Sequence, residues 1–198
     1  MAGNQICAIT IPILILCVAS SAALAQTTKQ PMSFINLSCR ATLYRTLCVQ
    51  SLSVYAASIN RSPHRLTHTA LLVSLAKAKS AKSYVSLMTK TKGLGRGDRE
   101  ALKDCLENIG AAEGRIRGSI QEMGLLGRAS KREFQWHLSN VQTWVSAALT
   151  SENTCIDGLG EGGVSRNVNA KITPMLENAK QVTSNALALI NKFVAPEY

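Results

Sequence analysis

Histidine and acidic side chains are scarce in this chain. Three His and 12 Asp plus Glu stand among 198 residues, against 22 Lys plus Arg. That limits the chemistry on offer. His64 and His68 are four apart, as metal-binding pairs on a helix are. No Glu lies between them in zinc-protease fashion, and no third ligand is in view, so they read as a solvated pair near a helix start. His137 reads as a surface or satisfied histidine. No C-x-x-C pair occurs, which counts against zinc. There is no G-x-S-x-G elbow. Gly93 to Gly97 has neither the G-x-x-x-x-G-K-S/T form nor the G-x-G-x-x-G form, and no strand precedes it. It reads as an inter-helix loop, not a phosphate cradle. Asp104 and Glu107 are close, but carboxylates on helix surfaces usually face water. The expectation is a protein with no catalytic residues, no metal and no cofactor.

Long apolar runs are also few. Ile9 to Val18 is short and interrupted by Pro12, and Ala23-Leu24-Ala25 follows with the small-x-small pattern of a cleavage site. Residues 1–25 read as a secretory signal peptide cut near Ala25–Gln26. No Lys or Arg precedes the run, and an uncleaved anchor is the alternative. No second stretch is apolar enough to span a bilayer. The remaining 173 or so residues suit one domain and carry the whole net charge of +10. Such a balance favours acidic partners. Export and the absence of a dense basic tract disfavour nucleic acid, and no membrane association is expected after cleavage. A solvated basic surface and selective binding of a polyanion such as an acidic polysaccharide remain as two readings of the charge.

Cys7 and Cys17 leave with the signal peptide; Cys39, Cys48, Cys105 and Cys155 remain. An even number in an oxidising compartment implies disulfides, and four cysteines allow three pairings. The local one, Cys39–Cys48 with Cys105–Cys155, is preferred. Asn36-Leu37-Ser38 and Asn60-Arg61-Ser62 are N-glycosylation sequons, the second followed by Pro63.

No strand-and-turn array is visible; helical periodicity dominates. Residues 26–33 read as a loose tail and 34–60 as a short helical hairpin. Pro63 can open the next helix, which runs from His64 to about Lys90 with Leu66, Ala70, Val73, Ala76, Tyr84 and Leu87 on one face. Asp98 is placed as the cap of a second helix carrying Ala101, Leu102, Cys105, Ile109, Ala112, Ile116 and Met123. The apolar period persists through Gly110, Gly114 and Gly118. Ser130 with Glu133 forms a capping box for a third helix, whose stripe is Phe134, Leu138, Val141, Trp144, Val145 and Ala148. Thr150 to Gly163 reads as a Gly-rich connection. The last helix repeats Ile172, Met175, Ala179, Val182, Ala186, Leu189 and Phe193 at three and four residues, with Pro174 inside or at its start. The sum is an all-α, up-down-up-down four-helix bundle over 61–194, preceded by the hairpin in a single domain, 34–194. Antiparallel neighbours would bring Cys105 and Cys155 near each other.

Several blocks together resemble one family. Phe34-Ile35-Asn36-Leu37-Ser38-Cys39, Thr42-Leu43-Tyr44 and Leu47-Cys48 look like the first cysteine pair of the plant invertase and pectin methylesterase inhibitors. Ser51-Leu52-Ser53-Val54-Tyr55-Ala56 continues it. Ala101-Leu102-Lys103-Asp104-Cys105-Leu106-Glu107 resembles the third-cysteine motif. Val141 to Thr150 with Thr154-Cys155-Ile156-Asp157-Gly158 resembles the fourth, and Thr183 to Asn191 the C-terminal signature. The blocks look closer to the pectin methylesterase branch. The resemblance implies a hairpin plus a four-helix bundle, with first-to-second and third-to-fourth pairing. It also implies a reversible one-to-one complex in which the bundle covers the active-site cleft of the esterase. An invertase is the alternative target, and a non-inhibitory basic pectin-binding protein a third reading. By position, Glu107, Gln142 and Asp157 are the interface candidates. The chain departs from the family at Ala111 and Gly114, where acids are usual and only Glu113 is nearby, and at Arg45, where Pro is common.

Overall fold

An apolar stripe at helical spacing is stable only when it is packed against another. The computed structural model describes residues 30–160 and 164–194. Among them are seven helices: α1 (30–38), α2 (Arg45–Ser53), α3 (Ala56–Ile59), α4 (Pro63–Met88), α5 (Arg96–Leu125), α6 (Lys131–Gly160) and α7 (Arg166–Val194). Single 3-10 turns, Cys39–Ala41 and Leu126–Arg128, follow α1 and α5. The four long helices close an antiparallel square. α4 and α6 each pack on both α5 and α7. The signal-peptide and cleavage-site assignments, residues 26–29 of the tail and residues 161–163 lie outside the described residues.

Local chemistry places the helix ends. Ser62 accepts the N–H of Arg65 and Pro63 occupies the first turn of α4. Ser130 and Glu133 bond reciprocally at the start of α6, at 2.8 and 3.5 Å. Gly93 takes a left-handed φ of +80° in the α4–α5 loop, where a side chain would be strained. Cys39 pairs with Cys48, and Cys105 with Cys155, closing separations of 9 and 50 residues. Loop-entropy arithmetic assigns these cross-links about 3 and about 4 kcal/mol.

Five expectations need correction. Residues 30–33 are helical, not a loose tail: Pro31 and Ile35, one turn apart, are both buried and give α1 a face to pack. Asp98 does not begin α5. Gly95 does, and the Asp98 carboxylate reaches back to the Gly95 N–H at 3.3 Å and across to the Ser165 N–H at 2.6 Å. It ties the start of α5 to the start of α7. The buried face of α4 is rotated from the expected one: Thr67, Leu71, Ser74, Ala78, Ala81, Val85 and Met88 join Leu66 and Ala70, while Leu87 is 63% exposed. Small and hydroxylated residues fill that face, which a tally of apolar side chains overlooks. Thr150 to Gly160 is not a connection but the last turns of α6. Ser151, Glu152, Cys155 and Leu159 are buried at helical spacing. In α7, Leu176 enters the core and Met175 does not.

The core falls into two apolar clusters. One joins the hairpin to the α5–α6 turn end and the end of α7; the other surrounds Cys105 and Cys155. A buried polar chain lies near their junction. Ser74 Oγ donates to Thr183 Oγ1 at 2.7 Å, and Thr183 Oγ1 donates to Glu152 Oε1 at 2.9 Å, linking α4, α7 and α6.

The hairpin is held to the bundle by Asn185. Its Oδ1 accepts the Tyr44 N–H at 3.1 Å and its Nδ2 donates to the Tyr44 carbonyl at 3.0 Å. One buried amide thus satisfies both backbone groups of a non-helical residue. Asn185→Leu leaves the Tyr44 N–H without a partner, while the carbonyl keeps the Cys48 N–H at 2.9 Å. It should lower stability by about 2 kcal/mol and the Tm by roughly 4–8 °C, read by thermal unfolding of the disulfide-intact protein. Asn185→Asp, which keeps the acceptor and loses the donor, should fall between the two.

Candidate functional site

α5 and α6 share the most extensive of the interhelical interfaces. Their close approach rests on Gly118: a Cβ there would lie 2.7 Å from Cζ3 of Trp144, so the indole occupies the space a side chain would take. The Cys105–Cys155 bond fixes the other end of the pair. Across the seam, Arg115 Nη1 donates to Ser151 Oγ at 2.6 Å.

Glu107 and Asp157 each follow a cross-linked cysteine by two residues. Two residues turn a helix by about 200° and advance it about 3 Å. Both carboxylates therefore leave the disulfide on outward faces, and both are exposed. Because the helices are antiparallel, they flank the cross-link, offset by roughly 6 Å along the bundle axis. Gln142 is not brought to them. It lies about four turns back on α6, roughly 22 Å away, and its Nε2 donates to Asn191 Oδ1 at 3.0 Å.

On α5, Asp104, Glu107, Ala111 and Gly114 follow one another at three- and four-residue spacing and are all exposed. The stripe flattens from carboxylates to a methyl and a bare backbone. Glu113 does not supply the missing charge to this stripe. It is held by Lys82 at 3.0 Å and by Arg117.

The sequons fall on the hairpin. Asn36 is exposed on α1 and donates to the Met32 carbonyl at 2.9 Å. Asn60 is exposed and closes α3 in a left-handed conformation. The histidines do not converge. His64 and His68 stack with ring centroids 6.3 Å apart, and His64 Nε2–H donates to the Met123 carbonyl at 2.9 Å. Burial, and then the neighbouring His64, hold His68 below its ordinary pKa. His137 Nδ1 lies 2.5 Å from Glu122 Oε2. Among the described residues there is no group of three His, Cys, Asp or Glu placed to hold a metal, and no helix long and apolar enough to cross a membrane.

Glu152 is the titratable group that sequence reasoning missed. It is 0% exposed, its Oε2 has no partner among the described residues, and burial pushes its carboxyl up to about 7, against the Thr183 hydrogen bond and the charge of Lys180. A signal existed: Glu152 is in register with Ala148, Cys155 and Leu159, once Thr150–Gly160 is taken as helix. Asp98 and Glu113 move the other way. The Ser165 N–H chiefly lowers Asp98, and the hydrogen bond from Lys82 chiefly lowers Glu113.

Antiparallel helices, an interhelical disulfide and an open polar face define a binding scaffold. The family described as Plant invertase/pectin methylesterase inhibitor matches residues 33–189, and the chain belongs to it. Over 185 residues it is 45% identical to Pectinesterase inhibitor 11 of Arabidopsis thaliana, covering 90% of each chain. Over 163 residues it is 45% identical to Pectinesterase inhibitor 9 of the same plant, covering 81% of this chain and 80% of that one. The crystal structure of mutant form A of a pectin methylesterase inhibitor from Arabidopsis aligns with a TM-score of 0.64 at 20% identity, over 81% of this chain and 95% of that one. At that identity the likeness speaks for the fold.

The carboxyl shifts set a stability profile. Glu152 has a folded pKa above its unfolded value of about 4.5. The folded state therefore holds the extra proton, and stability falls as pH rises from there through about 7. Asp98 and Glu113, depressed in the folded state, contribute stability that is lost as pH falls below the ordinary carboxylate range. Tm measured against pH should therefore peak at about pH 4–5. Glu152→Gln, isosteric and uncharged, should abolish most of the decline toward neutrality while leaving the acid limb in place. An unchanged neutral limb in that variant would show that Glu152 is not its source.

Proposed function

We propose that the protein is a secreted inhibitor of pectin methylesterase. It binds one-to-one over the enzyme's active-site cleft and so limits demethylation of pectin in the plant cell wall. It acts by occupancy and is not an enzyme. The observation that carries this reading is 45% identity over 90% of the chain to a pectinesterase inhibitor. The apolar leader, the two disulfides and the sequons at Asn36 and Asn60 support export to the apoplast.

The fold suits the task. A cross-linked bundle is ordered before it docks, so little conformational entropy opposes the complex. In this reading the outer face of α5, with the adjoining end of α6, meets the esterase. Glu107 and Asp157 supply polar contacts beside the disulfide, and the flat Ala111–Gly114 stretch allows close backbone approach. Gln142 takes part from the far half of α6. The family description also covers invertase inhibitors, which makes invertase the second candidate target. The +10 charge supports an additional ionic association with acidic pectin.

The oxidised protein from Gln26 onward should inhibit plant pectin methylesterase on methylated pectin at mildly acidic pH and leave sucrose hydrolysis by cell-wall invertase unchanged. Lack of inhibition across several plant isoforms overturns the reading; inhibition of invertase alone moves it to the other branch. Gly114→Tyr tests the docking face. Nothing lies within 4 Å of a Cβ at Gly114, and the change favours the helix, so folding should be unaffected. Inhibition should weaken by about tenfold or more, the scale on which one central interface residue acts. Wild-type inhibition by Gly114→Tyr would place the docking face elsewhere.

A further inference from the structure

A groove of about 600 Å³ lies between the hairpin and the first half of α4, away from the α5–α6 cross-link. Tyr55 and Ser58 form its hairpin wall; His68, Leu72, Arg65 and Lys77 stand along α4. Among the described residues, none of those lining it is acidic. Tyr55 and Leu72 are each 44% exposed and present large apolar surfaces to solvent. Arg65 and Lys77 lie on one four-residue row of the helix, roughly 18 Å apart, and both are exposed. Arg65 Nη1 donates to the Ser58 carbonyl at 3.2 Å. That contact fixes the guanidinium at the rim and leaves its other N–H groups for an incoming acceptor.

We infer that this groove binds a stretch of demethylated pectin, an oligogalacturonate. The aromatic and aliphatic floor suits the C–H face of a sugar ring, as ligand sites combine an apolar floor with a few placed polar groups. Spaced cations at the rim suit carboxylates that recur along a chain, and the planar Arg fork matches a carboxylate two bonds at a time. The net charge of +10 draws a polyanion toward it. The choice of a uronate rests on the proposed function: demethylation turns neutral methyl esters into carboxylates, so the polyanion is what the inhibited enzyme makes. The groove would hold the inhibitor where the esterase has already acted.

Calorimetric titration of the oxidised mature protein tests this, using a long oligogalacturonate, its fully methyl-esterified form, and dextran sulfate. The free acid should bind and the ester should not. The double variant Arg65→Ser/Lys77→Ser should weaken binding by about tenfold or more, and Tyr55→Ala should weaken it as well. Arg166→Ser/Lys171→Ser removes the same charge from exposed positions on α7 and should stay within about twofold of wild type. Equal weakening in the two double variants, or no binding, overturns the groove. Dextran sulfate binding with the same variant pattern overturns the uronate assignment. Esterase inhibition is measured on the same preparations. Intact inhibition with groove-independent binding sinks the groove alone; groove-dependent binding without inhibition sinks the esterase reading alone.

Discussion

A carboxyl group buried among helices with only one hydroxyl to meet it is a demanding thing to accommodate. Glu152 is wholly enclosed, and among the described residues Thr183, itself held by Ser74, is the only side chain that bonds it. Sliding α6 by one helical turn against α7 would move the carboxyl about 5.4 Å along the axis, away from Thr183 and into a cluster lined by aliphatic side chains. Burying a polar group without a partner costs several times what a well-made hydrogen bond contributes. Apolar packing tolerates many axial offsets of similar energy, because leucine and alanine faces resemble one another from turn to turn. The Ser74–Thr183–Glu152 chain does not. It favours one relative height for three of the four long helices. The Cys105–Cys155 bond then fixes the height of the fourth.

The outer surface inherits that constraint. Glu107 and Asp157 flank the cross-link only because α5 and α6 are held at the offset that brings Cys105 to Cys155. Gly118 lets the other end of the pair close on Trp144. The face proposed for docking is therefore a consequence of interior packing, positioned by helices and a cross-link. Its weakness in charge is equally structural. Glu113, the acid nearest to Ala111 and Gly114 in the chain, turns toward Lys82 and Arg117. Drawing it outward would break its ion pairs with two cations to supply one exposed charge, and exposed pairs contribute little. On the proposed reading, the middle of this face contributes shape and close approach, with charge confined to the disulfide end.

The fold was largely legible because α5 and α7 keep an apolar residue at nearly every core position. Errors arose where the core is not apolar. In α4, Thr67, Ser74, Ala78 and Ala81 occupy the buried face, while Ala76 and Leu87 are exposed, so a tally of apolar side chains turns the stripe off the buried face beyond Ala70. The segment Thr150–Gly160 carries Thr, Ser, Asn and Gly, residues that favour loops when nothing else decides. Here Thr150 and Thr154 return their hydroxyls to carbonyls four residues back, at 3.2 and 3.0 Å, and the helix continues. Asp98 reads as the cap for a related reason: a carboxylate three residues into a helix can bond the cap residue's N–H and look like the cap itself. At the site, the positions of Glu107 and Asp157 follow from the cysteines beside them. The isolation of Gln142 and the inward turn of Glu113 depend on rotamers and neighbouring helices, which spacing along a chain does not encode.

The two proposed surfaces lie at opposite ends of the bundle, and that separation has a consequence. Gly124 borders the cationic groove, whereas Glu107 sits almost five turns earlier on the same helix, roughly 25 Å away. The groove belongs to α4 and the hairpin; the docking face belongs to α5 and the end of α6, and α6 stands diagonally across the square from α4. Arg65, at the hairpin, is more than about three screening lengths from Glu107 at physiological ionic strength; Lys77, five residues before the Lys82 that reaches Glu113, is nearer, on the order of 15 Å along the axis. A polyanion seated against Arg65 and Lys77 would therefore leave Glu107 and Asp157 uncovered. Had Arg65, Lys77 and the apolar groove stood beside Glu107 and Asp157, pectin and esterase would compete for one surface, and retention in the wall would come at the expense of inhibition. With Arg65 and Lys77 beside the groove and the candidate docking carboxylates at the cross-link, one small rigid body can, on the proposed reading, hold its place on the polymer and still present a free face to the enzyme.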